Sequence, residues 1–148
     1  MPVVVIAEKP SVAADIANVL GANAKKDSHW ENKDIVVTWA VGHLLELKTH
    51  DDYDEDFKNW RGTVERLPFI PEKFELKPIT GRNANKKQLT AIKKLITAKD
   101  CTEIVNACDA AREGELIFRR IIEYSKTKAP MSRMWLQSMT DTSIQSAW

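Results

Sequence analysis

The chain has few cysteines, no excess of charge of either sign and no long apolar run. Only two of its 148 residues are cysteine, Cys101 and Cys108, and their spacing fits neither a disulfide framework nor a set of metal ligands. The 22 basic and 21 acidic residues leave a formal net charge of +1, so the overall charge does not indicate a nucleic-acid partner. Any such partner has to be argued from local patches.

Other absences concern location and organisation. No apolar run approaches the ~18 residues of a membrane span, and no charged-then-apolar leader precedes the first predicted strand. With so few cysteines, this predicts a soluble, unexported, cytoplasmic protein without a membrane partner. The sequence contains no internal repeat and no low-complexity segment. Its 148 residues fit one domain, which can bury roughly 68–70% of its unfolded surface in a single core.

Two short runs of β-branched and small residues predict buried strands. The first is residues 3–7, and the second is residues 104–108. Each run ends in a charged turn, and each turn leads into an amphipathic helical pattern. Continuous apolar strands that alternate with helices are typical of an α/β fold with a parallel sheet covered on both faces.

The two charged turns occupy equivalent places, after a strand and before a helix. Glu8 and Lys9 follow the first strand, whereas Asp109, Arg112 and Glu113 follow the second. Ligands of open α/β sheets bind beyond the carboxyl ends of the strands. Clustered carboxylates remain ionised most readily with a cation between them, and Mg²⁺ prefers a few carboxylate oxygens with positions left for phosphate and water. The pattern therefore favours a magnesium site.

Simpler interpretations of these residues exist. A Glu8–Lys9 pair at a strand end can be a solvated ion pair, which contributes ~0–1 kcal/mol to stability. Glu113 and Glu115 can merely complement the positive end of the helix dipole. That interpretation leaves Asp109 and Arg112 unexplained.

The remaining elements are predicted from periodicity and turn residues. They are a hairpin over residues 29–31 and 35–41, a loop or short helix over 50–66, an edge strand over 74–79 containing Pro78, a helix from Asn83 onward, a strand over 131–136 and a helix beginning near Thr140.

Several residues are candidate nucleic-acid contacts, each with a structural alternative. His43, in a Gly-His turn, can donate a hydrogen bond to phosphate or serve the fold. Trp60, in a highly charged stretch, can stack on an unpaired base or anchor the loop to the core. Lys86 and Lys87, with a second lysine pair seven residues later, can follow a phosphate backbone or form an ordinary solvated helix face.

The ordered set of motifs resembles a known family. The motifs are Glu8-Lys9-Pro10-Ser11, Gly42-His43-Leu44 and Asp109-Ala110-Ala111-Arg112-Glu113-Gly114-Glu115. Together they resemble the N-terminal Toprim domain of type IA DNA topoisomerases, most closely that of bacterial DNA topoisomerase III. The resemblance covers essentially the whole chain. It implies a parallel, Rossmann-like sheet flanked by helices, with an inserted hairpin and edge strand. Residues 1–148 would be the Toprim domain of a longer polypeptide, with 140–148 beginning its next segment.

The resemblance also implies roles for individual residues. Glu8 would bind Mg²⁺ together with Asp109 and Glu113, and would shuttle a proton at a sugar hydroxyl. Lys9 would steady the scissile phosphate, and Arg112 belongs to the same catalytic motif. Trp60 and His43 match positions expected near single-stranded DNA. The parent enzyme would cut one DNA strand, pass another and reseal the first, in the bacterial cytoplasm at the nucleoid or a plasmid.

Two departures from the family pattern limit what the chain would do alone. Ala111 stands where the general Toprim pattern has a second aspartate, which weakens a two-metal scheme. The nucleophilic tyrosine of type IA enzymes lies in a later domain, and neither Tyr53 nor Tyr124 matches it. The fragment alone is thus expected to be inactive. The alternatives are a Toprim nuclease or primase-type phosphotransfer domain, and a non-catalytic DNA-binding module with a vestigial metal site.

Overall fold

The computed structural model describes residues 2–59 and 64–148, apart from the side chain of Asn83. Its strands are β1 (Val3–Ala7), β2 (Ala24–Lys25), β3 (His29–Glu31), β4 (Ile35–Trp39), β5 (Leu45–Leu47), β6 (Leu76–Pro78), β7 (Glu103–Ala107) and β8 (Met131–Arg133). Its helices are α1 (Pro10–Val19), α2 (His50–Tyr53), α3 (Lys86–Ile96), α4 (Arg112–Ser125) and α5 (Asp141–Ala147), with short 3₁₀ turns at Glu55–Lys58, Val64–Arg66 and Gly81–Asn83.

The main sheet has six strands in the order β2-β3-β4-β1-β7-β8. Strands β4, β1, β7 and β8 are parallel, and β3 and β2 extend the sheet as an antiparallel hairpin. In the centre, Ala7 of β1 is level with Trp39 of β4 and Ala107 of β7. The carboxyl ends of these three strands therefore meet at one edge.

Helices cover both faces of the main sheet because the central strands are apolar on both sides. In β1, Val4 and Ile6 point to one face, where they pack with α3 and α4. Val5 and Ala7 point to the other face, where they pack with α1 and α5. Side chains alternate between faces along a strand, so a continuous apolar run supplies both cores.

The expected fold class is confirmed, with shifts at element boundaries. The hairpin strand expected to reach residue 41 ends at Trp39, shortly before Gly42, whose positive φ of 64° belongs to a turn. The helix expected from Asn83 begins at Lys86, because the Asn85 side chain accepts a hydrogen bond from the Gln88 backbone and caps it.

Two strands are shorter than expected. The strand around Pro78 spans Leu76–Pro78 and pairs with β5 in a separate two-stranded sheet. The strand expected over residues 131–136 ends at Arg133. No helix in the described residues has both the length and the apolar character needed to cross a membrane.

Candidate metal centre

Glu8 and Asp109 lie at the ends of neighbouring strands. β1 and β7 are hydrogen-bonded to each other, and Ala7 is level with Ala107. Adjacent strands lie about 4.8 Å apart, so Glu8 and Cys108 follow side by side, and Asp109 comes one residue later. The expected juxtaposition of the two strand ends is thus present in the backbone.

The Glu8 side chain is unusual because it is a buried carboxylate without a close partner. The residue is 8% exposed, and its Oε2 has no hydrogen-bond partner within the described chain. The Lys9 ammonium lies 4.0 Å from Oε1, and the Lys9 side chain is 60% exposed. A buried, unpaired carboxylate oxygen is costly unless a cation or a donor reaches it. The chemistry of this position therefore fits a divalent cation.

The turn after β7 is held close to the start of α4 by a glycine. A Cβ atom on Gly114 would lie 2.3 Å from the backbone oxygen of Asp109, closer than real Cβ contacts come. Only glycine allows the first turn of α4 to approach the Asp109 backbone so closely. The sequence motif therefore needs Gly114 for packing, and that packing fixes where Asp109 lies.

Helices α1 and α4 both begin at this edge, and within the described residues neither has a side-chain cap. The N-cap residues are Lys9 and Ala111, and neither makes a capping hydrogen bond through its side chain. The first backbone N–H groups of a helix have no partner within the helix and carry partial positive charge. This arrangement suits a phosphate next to a metal ion.

Glu113 contacts His43 rather than a second carboxylate. The Nε2 of His43 lies 3.0 Å from Oε1 of Glu113, whose side chain is 69% exposed. The other imidazole nitrogen, Nδ1, is buried without a hydrogen-bond partner among the residues described. Within the described ranges, no group of three or more His, Cys, Asp or Glu side chains is arranged to hold a metal. Glu8, Asp109 and Glu113 are therefore not gathered into one ready-made cluster.

A polar network beside the site was not predicted from the sequence. Oε2 of Glu115 accepts hydrogen bonds from Asn106 Nδ2 (3.0 Å) and Arg133 Nη2 (2.5 Å), and Oε1 accepts one from Arg119 Nε (2.6 Å). Arg133 also donates to the carbonyl oxygen of Cys108 at 3.0 Å. The network ties β7, β8 and α4 together just below the Asp109 turn.

Two groups in this region, Glu115 and Cys108, have shifted pKa values. The hydrogen bond from Arg133, followed by that from Arg119, lowers the pKa of Glu115 below its ordinary value. Burial, followed by the charge of the nearby Glu8, raises the pKa of Cys108 to about 12. Cys108 therefore remains a neutral thiol at physiological pH and supplies neither a thiolate ligand nor a nucleophile.

The contact between Arg133 and Glu115 could have been predicted from the sequence only by predicting that β8 lies next to β7. Arg133 lies 18 residues after Glu115, so no local motif joins the two. The predicted strand over residues 131–136 was the available signal, since a parallel neighbour of β7 would end at the same edge.

The other candidate residues lie in different places. Lys9 and Arg112 are exposed at the starts of α1 and α4. Lys86 and Lys87 are exposed in the first turn of α3, where Lys87 Nζ lies 3.1 Å from Asp27 Oδ2. Trp60 falls outside the described residues.

The chain is similar in sequence to known DNA topoisomerases. The chain is 44% identical over 142 residues to DNA topoisomerase 3 of Bacillus subtilis (strain 168), covering 96% of this chain and 19% of that protein. It is 42% identical over 141 residues to DNA topoisomerase 3 of Shouchella clausii (strain KSM-K16), covering 95% and 19%. The chain therefore spans about a fifth of the length of these relatives.

A solved structure and a family comparison agree with each other. Full-length topoisomerase I from Thermotoga maritima matches with a TM-score of 0.58 at 23% identity, over 97% of this chain and 20% of that chain, which shows a common fold. The Toprim domain family matches residues 3–139. The resemblance read from the ordered motifs is confirmed, and the chain belongs to the Toprim domain family.

Proposed function

We propose that this chain is the magnesium-binding Toprim module of a DNA topoisomerase that transiently cleaves, passes and reseals single-stranded DNA. The observation that carries the proposal is the buried carboxylate of Glu8, whose Oε2 has no hydrogen-bond partner among the described residues, at a strand end next to the Asp109 turn. The names of its relatives support the reaction class, since both are DNA topoisomerase 3. The remaining domains of such a polypeptide would complete the active site.

Glu8 and Asp109 would hold one Mg²⁺, with Glu113 as a third carboxylate. Mg²⁺ is commonly held by one or two carboxylates and keeps several waters, so a compact three-ligand cluster is not required beforehand. When bound, the ion would polarise a phosphoryl oxygen and offset its developing charge. Ala111 offers no carboxylate, which favours one metal over two.

The residues around the metal would act on the phosphodiester. Lys9 is exposed at the start of α1, where its ammonium and the uncapped backbone N–H groups would bind a phosphate oxygen. Arg112, in the first turn of α4, would supply a second positive charge from the neighbouring strand end. Glu8 would accept or return the proton of the sugar hydroxyl at the cleaved bond.

The nucleophile would come from another part of the polypeptide. The Tyr53 hydroxyl donates to the Lys73 carbonyl oxygen (3.1 Å) and accepts from the Glu75 backbone N–H (2.7 Å). The ring of Tyr124 lies under the Lys93 ammonium, 5.0 Å from it. Both tyrosines thus have contacts of the kind that serve packing. The chain alone is expected to bind Mg²⁺ without cutting DNA, and to work in the bacterial cytoplasm.

A magnesium titration tests the proposal. Isothermal titration calorimetry of the 148-residue chain should show saturable Mg²⁺ binding, which Glu8→Gln or Asp109→Asn weakens at least about tenfold. The matched controls are Glu72→Gln and Asp100→Asn, which neutralise exposed carboxylates elsewhere on the surface.

Three outcomes would contradict the proposal. If Mg²⁺ does not bind, or binds equally to all four variants, the metal site is wrong. Metal-dependent cutting of DNA by the chain alone would favour a Toprim nuclease or a primase-type domain. Salt-sensitive DNA binding without any magnesium site would favour a non-catalytic module with a vestigial site.

A further inference from the structure

A cavity lies well away from the strand-end site, on the face covered by α3 and α4. α4 has 14 residues, so at 1.5 Å per residue its far end lies about 20 Å from the Asp109 turn. There, a cavity of about 380 Å³ opens between β6 with the segment before it, α3 and the end of α4. We call it the basic cavity; its lining includes Lys48, Lys73, Phe74, Lys93, Tyr124 and Lys126.

The basic cavity has excess positive charge. Lys48 is neutralised by Glu75, with its Nζ 2.5 Å from the carboxylate oxygen. The pKa of Glu75 is lowered first by this hydrogen bond, and the charges of Lys73 and Lys126 lower it further, so both lie near Glu75. The remaining charged residues of the lining are Lys73, Lys93, Lys126 and Glu123. Three cations against one carboxylate leave the cavity suited to an anion.

The basic cavity continues along α3. An adjoining cavity of about 300 Å³ is also lined by Lys93 and Tyr124, and it reaches Lys86. Lys86 and Lys93 are seven residues apart on one helix, about 10 Å along its axis, and so they face the same side. Together the two cavities form a track longer than one phosphate group, which indicates a polyanion rather than an isolated ion.

Aromatic side chains of the basic cavity narrow the choice of polyanion. Phe74 lines it and is 60% exposed, so its ring is open to a ligand in the cavity. Tyr124 contributes a second ring to the wall. An acidic peptide would neutralise the lysines but need not cover an exposed ring. A single-stranded nucleic acid supplies phosphates for the lysines and flat bases that stack on aromatic rings.

We propose that the basic cavity and its continuation along α3 bind single-stranded nucleic acid, with Lys73, Lys93 and Lys126 at phosphates and Phe74 stacked on a base. This surface would add to the DNA contacts that the proposed function places at the strand ends. Binding of nucleic acid to the basic cavity does not require the metal site.

Fluorescence anisotropy with a labelled single-stranded oligonucleotide tests this inference, in the presence of a metal chelator so that no bound metal ion contributes to the binding. The triple variant Lys73→Gln, Lys93→Gln, Lys126→Gln should weaken binding at least about tenfold. It should also reduce the slope of log K against log salt by about 2, since each phosphate contact on a single strand contributes about 0.7. Phe74→Ala should weaken binding about fivefold or more, with the salt slope unchanged.

The matched control carries Lys25→Gln, Lys33→Gln and Lys99→Gln, three exposed lysines that line neither cavity and lie outside α3. It has the same net charge as the triple variant and should keep most of the affinity. Equal losses in both triple variants would overturn the proposal, because the binding would then follow net charge alone. If poly-glutamate binds as tightly as the oligonucleotide and Phe74→Ala changes neither affinity, an acidic protein segment is the occupant, and the proposal is wrong. Because the measurement is made without free metal ions, its result does not depend on the outcome of the magnesium titration.

Discussion

His43 and Glu113 are 70 residues apart in the chain, yet His43 Nε2 and Glu113 Oε1 lie 3.0 Å apart. His43 follows the positive-φ turn at Gly42, after β4, whereas Glu113 lies in the first turn of α4. This contact connects the segment after β4 to the edge of the sheet where Glu8 follows β1 and Asp109 follows β7. His43 was predicted as a DNA contact, and this geometry indicates that it also orients a carboxylate of the candidate site.

We therefore predict that His43→Ala weakens Mg²⁺ binding about tenfold without unfolding the chain. Groups that hydrogen-bond to a metal-binding carboxylate fix its orientation, and their loss typically costs 10–100-fold in affinity. Calorimetric titration measures the change. His43→Gln keeps a donor near Glu113 and should recover part of the affinity. If His43→Ala binds Mg²⁺ as tightly as the unmodified chain, Glu113 does not depend on His43.

Gly114→Ala should destabilise the fold and disturb the site together. The added Cβ would lie 2.3 Å from the Asp109 backbone oxygen, so the start of α4 or the turn must move. Overpacking of this kind typically lowers the free energy of unfolding by about 1–3 kcal/mol, occasionally more. Urea unfolding of the variant would measure this loss. Gly81→Ala is the control, because it places a Cβ at a positive φ of 81° with no atom within 4 Å, in a turn that is not part of the candidate site. Both variants should lose stability, but only Gly114→Ala should also weaken Mg²⁺ binding.

Much of the main sheet followed from residue patterns, whereas the contacts of the site depended on topology. The apolar runs at β1 and β7 need no partner to be recognised, because strands buried on both faces are continuous apolar segments. β5 and β6 are short and partly exposed, so their pairing was not predicted. Glu115 and Arg133 meet only because β8 lies next to β7, an adjacency that periodicity does not contain.

The Glu115–Arg133 contact should make stability depend on pH. The pKa of Glu115 is lowered in the folded chain, first by Arg133, so the ionised carboxylate favours folding. This contribution is fully present above the unfolded pKa, near 4.5, and is lost as the pH falls through the lower folded value. Urea unfolding of Glu115→Gln should therefore show lower stability than the unmodified chain at about pH 7, with the difference shrinking in acid.

Arg119→Gln is the control for this effect. Arg119 contacts the same carboxylate one helical turn away, and its own side chain is 64% exposed. Exposed pairs at this spacing contribute about 0.3–0.5 kcal/mol, so its loss should be small at any pH. If Glu115→Gln shows the same deficit in acid as at neutral pH, the carboxylate charge is not what stabilises the fold.

Gln88 should be essential for the attachment of α3 to the strand hairpin. Its side chain is buried, and Nε2 lies within hydrogen-bonding distance of three oxygens, the Trp39 carbonyl (2.7 Å), the Ser28 carbonyl (3.1 Å) and Thr38 Oγ1 (3.2 Å). Gln88→Met keeps the approximate volume of the side chain but removes the amide N–H donor. The Trp39 carbonyl oxygen then loses its hydrogen bond from this side chain. Loss of such a partner costs about 1–3 kcal/mol, measurable by urea unfolding. Gln88→Glu should be at least as damaging, because a carboxylate would then face carbonyl oxygens. If both variants unfold at the same urea concentration as the unmodified chain, the amide is not what fixes α3 against β4.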